Sequence, residues 1–477
     1  MGRGAVASNA GGKVDLWLFF AFCGALALLG GASRADEITL ALLRPFGIGL
    51  LAYALWRHPW ADFARGKAFA IFLIAMTILA AIQLVPLPAS IWSALPGREV
   101  VAQIDALLFD SSVARPLTLS PGGTWNALFY TLSLLGGFLV FLVAFRRNEE
   151  AVLLALTALL LASVAVAFLE ALSGGSSLTF YRITSPNPAG LFSNSNHFGV
   201  ASALGLLVAA ELARRWRNRP GATGRWVLFA FVALFLLSGV MVSGSRVAFL
   251  AAGVAIAGVA IVILRESGFL TPRRTTARDS WFVRKTATRK VRLGAVVVLV
   301  AMAVIAVVAI GLFQRDLSMG NFEAPSFSED LRFSVFPVLT EMARQQWLVG
   351  AGLGSFDVLY PMFEPDALMS NKYLNEAHND VLQIVIEGGI LGVAIWLALI
   401  GWLAVRIVAL LRRGEIDNAL LMLSALAIVG LGSAFDYVLR TPLMAFIVLC
   451  SLTIWSTPKW LERSVQSQDR GKTGREH

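Results

Sequence analysis

Apolar runs of similar length recur along the whole chain. About twelve of them approach the roughly 20 residues that a helix needs to cross a bilayer. They lie at 15–31, 39–56, 68–86, 125–145, 150–171, 197–213, 226–242, 247–264, 294–313, 379–403, 417–436 and 441–457. Inside lipid no water satisfies backbone polar groups, so such segments fold as helices. We expect an all-α, polytopic membrane protein of about twelve transmembrane helices that form a single transmembrane domain over residues 1–477.

The basic residues are concentrated on one side of these predicted spans. Cytoplasmic loops are enriched in Lys and Arg, which places the segment RRWRNRPGATGR (214–225) and the basic loop at 265–293 in the cytoplasm. Both termini then lie on the cytoplasmic side as well. The net charge of +10 therefore reflects membrane topology, and the sequence does not indicate a nucleic-acid partner.

Two long loops lie on the opposite, outer side. The loop at 87–124 is rich in proline, which favours irregular surface backbone. The loop at 314–378 is the largest, and its residues 314–377 hold nine Asp or Glu against four Lys or Arg. Apolar residues within it recur at helical spacing around Arg332, although Pro337 is expected to interrupt or kink the helix, which we place on the membrane surface. Gly350, Gly352 and Gly354 follow, and we expect them to form a tight turn.

Histidine and carboxylate residues stand directly before one predicted span, in NEAHNDVLQIVIEGGILG (375–392). Asn379 or Asp380 is suited to cap this helix, and Asp380 with Gln383 approximates a capping box. His378 then faces the positive end of the helix dipole, which disfavours the imidazolium and leaves a ring that can accept a proton. The alternative is a solvated histidine at the membrane interface.

Within the same helix, Asp380, Gln383 and Glu387 fall near one stripe at helical spacing. We expect Glu387 to be an interhelical hydrogen-bond or ion-pair partner, because a carboxylate in a span is costly without one. Gly388 and Gly392 have the spacing of a close helix–helix contact.

Other polar residues also gather at the outer ends of spans. Arg246 lies in the short SGSR segment between two spans, which fixes it at the outer membrane boundary; an interfacial anchor is the alternative role. The remaining members of this group are Arg44, Asn196, His197 and Asp436. Two arginines and a neutral histidine suit a membrane-anchored diphosphate and a hydroxyl to be activated, since guanidinium groups bind phosphate oxygens and histidine accepts protons.

Metal and redox chemistry are not indicated by the sequence. Cys23 and Cys450 both fall in apolar spans, and the outer loops lack metal-ligand motifs such as Asp-x-Asp. We therefore expect no disulfide, no metal site and no cofactor.

The stretches GLFSNSNHFG, SGSRVAFLA, LRFSVF, WLVGAGLGSFDVLYP and HNDVLQIVIEGGILG together resemble the O-antigen ligase/polymerase family of bacterial envelope glycosyltransferases, best over residues 190–400. The resemblance implies a GT-C-like fold in the bacterial inner membrane, with a helical periplasmic loop before the histidine. It implies metal-independent transfer of a glycan from undecaprenyl pyrophosphate to an acceptor at the periplasmic face. By this match, Arg246 and Arg332 are the pyrophosphate-binding arginines and His378 is the essential histidine. We expect Asp380, Glu387 and Asn196 to support them.

The acceptor stays open at this point. A ligase uses the lipid A core, whereas an O-antigen or exopolysaccharide polymerase adds to a lipid-linked repeat unit or growing polysaccharide. Both handle an undecaprenyl-pyrophosphate-linked glycan among membrane lipids. A transporter of lipid-linked sugars is the rival from another class, and it requires polar residues through the membrane depth, which spans such as 294–313 lack.

Overall fold

The computed structural model describes residues 2–34, 36–108, 113–173, 187–216, 224–266, 327–369 and 374–457, together with residues 178, 179, 181 and 185. The side chains of residues 2–12 and 327–333 are outside this description. The predicted span 294–313 and almost all of the basic loop at 265–293 lie outside the described residues, as does the first part of the loop at 314–378.

Helices dominate the described residues, and the two strands are two residues each. The long helices are α1 (Gly2–Leu29), α2 (Leu40–Arg57), α3 (Lys67–Gln83), α6 (Pro121–Arg147), α7 (Glu149–Leu172), α8 (Ser195–Arg215), α9 (Gly224–Ser243), α10 (Arg246–Glu266), α11 (Phe327–Gln346), α13 (Asp380–Arg412), α14 (Ile416–Phe435) and α15 (Pro442–Ser456). The short ones are α4 (Ala89–Trp92), α5 (Glu99–Leu108) and α12 (Phe356–Leu359). Short 3₁₀ turns cover Trp60–Gly66, Tyr360–Met362, Asp366–Leu368 and Val438–Arg440. The strands β1 (Pro86–Leu87) and β2 (Arg115–Pro116) pair in antiparallel fashion.

The predicted spans coincide with helices wherever the structure describes them. Nine helices in the described part of the chain are long and apolar enough to cross a membrane. Helix α15 is apolar but only 15 residues long. The chain is thus an all-α polytopic membrane protein, while the predicted number of twelve spans is not confirmed.

One large apolar core joins the spans, with α6 and α8 at its centre. Almost every side chain of α8 is buried, and the second half of α6 is enclosed in the same way. Small residues bring helix backbones together: an added Cβ at Gly199 of α8 would lie 2.5 Å from the Cβ of Ala248 and 2.6 Å from the Oγ of Ser243. This contact packs the turn between α9 and α10 against the start of α8.

Ion pairs connect the helices at one end of the bundle. Asp15 accepts a hydrogen bond at 2.9 Å from the hydroxyl of Tyr53 and forms an ion pair with Arg147 at 3.0 Å. Arg215 of α8 forms an ion pair with Glu149, the first residue of α7. The other end carries the loops between α3 and α6 and between α11 and α13, and we call it the His378 end.

Helix α11 packs on protein through its apolar stripe. Val335, Leu339 and Met342 are buried in a cluster that includes Phe356 and Ile386. The apolar stripe of this helix is thus covered by α12 and α13, and its position on the membrane surface stays a prediction. The helix also continues through Pro337 instead of ending there.

A glycine loop follows α11 and crosses α13. Gly350, Gly352 and Gly354 all have positive φ, at 79°, 109° and 76°, as a tight turn requires. Arg98 clamps the loop: its guanidinium donates to the carbonyl of Gly350 at 2.7 Å and to the Oε1 of Gln346 at 2.8 Å. The tight turn that the sequence predicts is thus present, and it is tied to the loop that contains α5.

Helix α13 is broken where the glycine loop crosses it. Gly389 has φ 57° and ψ −156°, outside the helical region. The break exposes backbone carbonyls of α13, and the amides of Ala351 and Gly352 donate to the carbonyls of Ile386 and Glu387 at 2.8 and 3.0 Å. The sequence predicted a close helix–helix contact at Gly388 and Gly392. The close approach occurs instead at Gly389, and its partner is the backbone of the glycine loop.

Candidate active site

His378 forms a pair with Asp436 at the His378 end of the bundle. The Nδ1 of His378 lies 3.1 Å from the Oδ1 of Asp436, the residue that follows the last turn of α14. The Asp436 side chain is 1% exposed, whereas that of His378 is 21% exposed. A buried carboxylate at Nδ1 favours the tautomer with its proton on that nitrogen. The lone pair of Nε2 is then available as an acceptor.

The backbone holds His378 in an unusual conformation. Its φ is 48°, and it is the one non-glycine residue with positive φ in the described part of the chain. Asn379 immediately afterwards caps α13, because its side chain accepts from the amide of Leu382 at 2.9 Å. Of the two residues predicted to cap this helix, Asn379 does so. Strained backbone of this kind is typical of functional positions.

Four groups surround the carboxylate of Asp436 besides His378. The side-chain amides of Asn194 and Asn196 donate to its Oδ2 at 3.3 and 2.7 Å, and the backbone amide of Tyr437 donates to Oδ1 at 3.0 Å. The Nε2 of His197 lies 3.8 Å from Oδ1. Burial raises the pKa of Asp436, but the contacts with both histidines outweigh it and hold the pKa well below its usual range. The site therefore keeps an ionised carboxylate beside His378.

Tyr437 packs between the two histidines. Its ring centre is 4.8 Å from that of His378 and 5.0 Å from that of His197, both in edge-to-face geometry. The Nδ1 of His197 lies 2.8 Å from the hydroxyl oxygen of Thr441. Residues 436–441 thus contact both histidines, and they bring the start of α8 beside the start of α13.

A second cluster lies on the first part of α13, from Asp380 to Glu387. Glu387 is fully buried and accepts from the Nη1 of Arg440 at 2.7 Å. The predicted interhelical partner of Glu387 is therefore Arg440. The Nε of Arg440 is also 3.9 Å from Asp380, whose Oδ2 accepts from the amide of Leu439 at 3.4 Å.

Gln383 connects Glu387 to the segment before His378. Its Nε2 donates to Glu387 at 3.1 Å and to Glu376, while its Oε1 accepts from the amide of Ala377 at 3.0 Å. Gln383 thus holds residues 376 and 377, which directly precede His378. It does not form the predicted capping box with Asp380. Burial raises the pKa of Glu376 to about 8, although the charge of Arg440 acts to lower it. For Arg440, burial lowers the pKa, but Glu387, Glu376 and Asp380 reverse the effect and raise it.

The two predicted diphosphate-binding arginines are described to different degrees. Arg246 is exposed and is the first residue of α10, at the turn that packs against the start of α8. The short connection between α9 and α10 that the sequence predicts is present, with Gly244 and Ser245 between them. Arg332 lies in α11, and its side chain is outside the described residues.

No group of three or more His, Cys, Asp or Glu side chains suited to a metal occurs within the ranges that the structure describes.

Sequence reasoning singled out His378, Asp380, Glu387 and Asn196, and the structure brings the side chains of all four into two adjoining clusters. It gave Asp436 no specific role and did not single out Arg440 or Tyr437. The contact between His378 and Asp436 spans 58 residues of sequence, and no local spacing encodes it. A polar stretch DYVLRT between two apolar runs was the available signal.

Comparison with known proteins gives one match. A family model described as O-antigen ligase matches residues 231–397, which include Arg246, Arg332 and His378 but not Asp436 or Arg440. No curated protein and no solved structure matches the chain. Residues 231–397 of this all-helical membrane protein are thus similar to the O-antigen ligase family.

Proposed function

We propose that this protein is a glycosyltransferase that moves a glycan from undecaprenyl pyrophosphate to a sugar hydroxyl of the lipid A core. In this proposal it resides in the bacterial inner membrane, and the His378 end faces the periplasm. The similarity of residues 231–397 to the O-antigen ligase family supports this type of activity. The observation that carries the proposal is the contact between His378 and buried Asp436, which leaves Nε2 of a partly exposed imidazole available to a substrate.

The chemical step is a single displacement with His378 as general base. The acceptor hydroxyl oxygen attacks the anomeric carbon, and the bond from that carbon to the pyrophosphate oxygen breaks. Nε2 of His378 accepts the hydroxyl proton, and the bonding electrons leave with undecaprenyl pyrophosphate. Asp436 orients the ring through Nδ1 and stabilises the imidazolium that forms.

Arg246 and Arg332 are proposed to bind the diphosphate. Guanidinium groups stay protonated and bind phosphate oxygens with two parallel hydrogen bonds, which stabilises the charge that develops on the leaving group. This role needs no metal ion, and we propose a metal-independent reaction. The position of Arg246 beside the start of α8, whose Asn196 contacts Asp436, supports its inclusion.

The remaining predicted residues are proposed to support the base. Asn196 stabilises the carboxylate of Asp436 with a hydrogen bond of 2.7 Å. Glu387 and Asp380 hold Arg440, which follows Asp436 in the same short segment between α14 and α15. Both clusters therefore fix the segment that presents Asp436 to His378.

The direct test is a transfer assay with purified protein, a lipid-linked donor glycan and a lipid A core acceptor. We expect release of undecaprenyl pyrophosphate and a glycosylated acceptor without a transmembrane gradient. Chelation of metal ions with EDTA is expected to leave the rate unchanged. Movement of the lipid-linked donor across the membrane with no released pyrophosphate would contradict the proposal and favour a transporter.

A deletion strain separates the ligase from a polymerase. Loss of a ligase leaves long, unattached polymer on the lipid carrier. Loss of a polymerase leaves single repeat units on the surface lipid instead. We expect the first result, and the second would replace the lipid A core with a lipid-linked repeat unit as the acceptor.

A further inference from the structure

The carboxylate of Asp436 is shared by two histidines, of which the proposed reaction uses only one. His378 contacts its Oδ1 at 3.1 Å, and His197 of α8 faces the same oxygen at 3.8 Å. His197 is 1% exposed, so no bulk water satisfies its ring nitrogens. A buried ring nitrogen that lacks a hydrogen-bond partner is costly, and the Nε2 of His197 is such an atom in the described part of the chain.

The hydrogen bonds of His197 indicate which ring nitrogen carries the proton. Its Nδ1 is 2.8 Å from the hydroxyl of Thr441, which is able to donate to that nitrogen. Its Nε2 has no hydrogen-bond partner in the described part of the chain and faces a carboxylate oxygen. A proton on Nε2 gives attraction to that oxygen, whereas a lone pair there gives repulsion. The geometry favours the Nε2–H tautomer.

We propose that His197 is a positioning residue for His378, acting through Asp436. Its Nε2–H points at Oδ1 and fixes the carboxylate that orients the imidazole of His378. This inference rests on the proposed function, in which His378 is the base. It adds a residue outside the range that the family model matches.

Other contacts of the same segment support a positioning role. Asn194, the cap residue before α8, and Asn196, which directly precedes His197, bind the second oxygen of Asp436, so the start of this helix contacts both oxygens of the carboxylate. Tyr437 packs edge-on against both histidine rings. Among the described residues, Asp436 and Tyr437 thus connect the start of α8 to His378.

The test compares two substitutions that each keep one nitrogen position of the imidazole. The side-chain amide of Gln reaches the position of Nε2, and that of Asn reaches the position of Nδ1. His197→Gln keeps a donor toward Asp436, and His197→Asn keeps the contact with Thr441. We expect His197→Gln to transfer glycan within about threefold of the wild-type rate and His197→Asn to lower kcat at least about tenfold, with the KM for the lipid-linked donor unchanged.

A double variant tests whether His197 acts through Asp436. Because His197 acts through Asp436, adding His197→Asn to Asp436→Asn is expected to cause no further loss. Equal losses for His197→Gln and His197→Asn, or additive losses in the double variant, would overturn the proposal. If His197→Asn does not fold, as judged by thermal unfolding in detergent, His197→Phe takes its place in the same comparison.

The variants of His197 and His378 separate the positioning role of His197 from the proposed function of His378 as the base. A wild-type kcat in His197→Asn together with an inactive His378→Gln would remove His197 and leave His378 as the base. Wild-type transfer by His378→Gln would remove the base itself, whatever the result at residue 197.

Discussion

Arg440 donates a hydrogen bond of 2.7 Å to Glu387, a carboxylate with no exposed surface in the first half of α13. The contact joins α13 to the segment between α14 and α15. Asp380 and Glu376 lie near the same guanidinium, so Arg440 balances several acidic groups at once. The pair thus holds α13, with His378 just before it, in register with Asp436.

Loss of the Arg440 charge is predicted to destabilise the protein. Arg440→Gln leaves Glu387 buried without its cation, which costs on the order of 3 kcal/mol of unfolding free energy. Thermal unfolding in detergent measures the effect, with Arg440→Lys as the control that keeps the charge and loses less. An unfolding temperature equal to that of the wild type in Arg440→Gln would show that the pair carries no stability.

Glu376 is predicted to make stability depend on pH. Burial raises the pKa of Glu376 from 4.5 to about 8, so between these values the native state holds a proton that the unfolded chain has released. Raising the pH through this window therefore favours unfolding. Glu376→Gln cannot ionise, and we expect the variant to gain stability relative to the wild type as the pH rises from 5 to 8. A constant difference over that range would contradict the assignment.

Gly389 is predicted to tolerate no side chain. It combines φ 57° with ψ −156°, and an added Cβ would lie 2.6 Å from the backbone nitrogen of Gly350. Gly389→Ala is expected to lose about 1 to 3 kcal/mol of unfolding free energy. Gly401 of the same helix has open space at its Cβ position, so Gly401→Ala is the matched control and is expected to be neutral or slightly stabilising. Similar unfolding temperatures for the two variants would contradict the break in α13.

Asn196 is predicted to support activity by binding Asp436. Asn196→Ala removes the hydrogen bond of 2.7 Å, and we expect a loss of about tenfold in glycan transfer, typical of a bond to a charged group. Asn196→Asp sets a second carboxylate against the first and is expected to lose more. If Asn196→Asp is the more active of the two, the neighbouring group is not the ionised carboxylate of Asp436.

Local patterns in the sequence predicted much of the fold but only part of the site. Hydropathy located the described spans, because burial in lipid depends on composition over about 20 residues. The cost of a carboxylate inside a span likewise indicated that Glu387 needs a partner, and the preference for Asn before a helix included Asn379 among the possible caps of α13. These properties depend on neighbouring residues alone.

The partners of those residues depend on how distant helices pack. Asp436 meets His378 because α14 ends beside the start of α13, and Arg440 meets Glu387 for the same reason. The expected Gly388–Gly392 contact failed because a backbone loop, not a helix, crosses α13 at Gly389. The helix dipole suggested a role for His378, but the structure adds a carboxylate at Nδ1 that the dipole argument did not contain.

The central claim is that His378, oriented by Asp436, is the base in glycan transfer. The most direct measurement is the rate of undecaprenyl pyrophosphate release by purified wild type, His378→Gln and Asp436→Asn, each checked for correct folding. We predict that His378→Gln is inactive and that Asp436→Asn, which no longer holds the tautomer with a proton on Nδ1, retains about one hundredth of the wild-type rate or less. Release at the wild-type rate by either folded variant would contradict the claim.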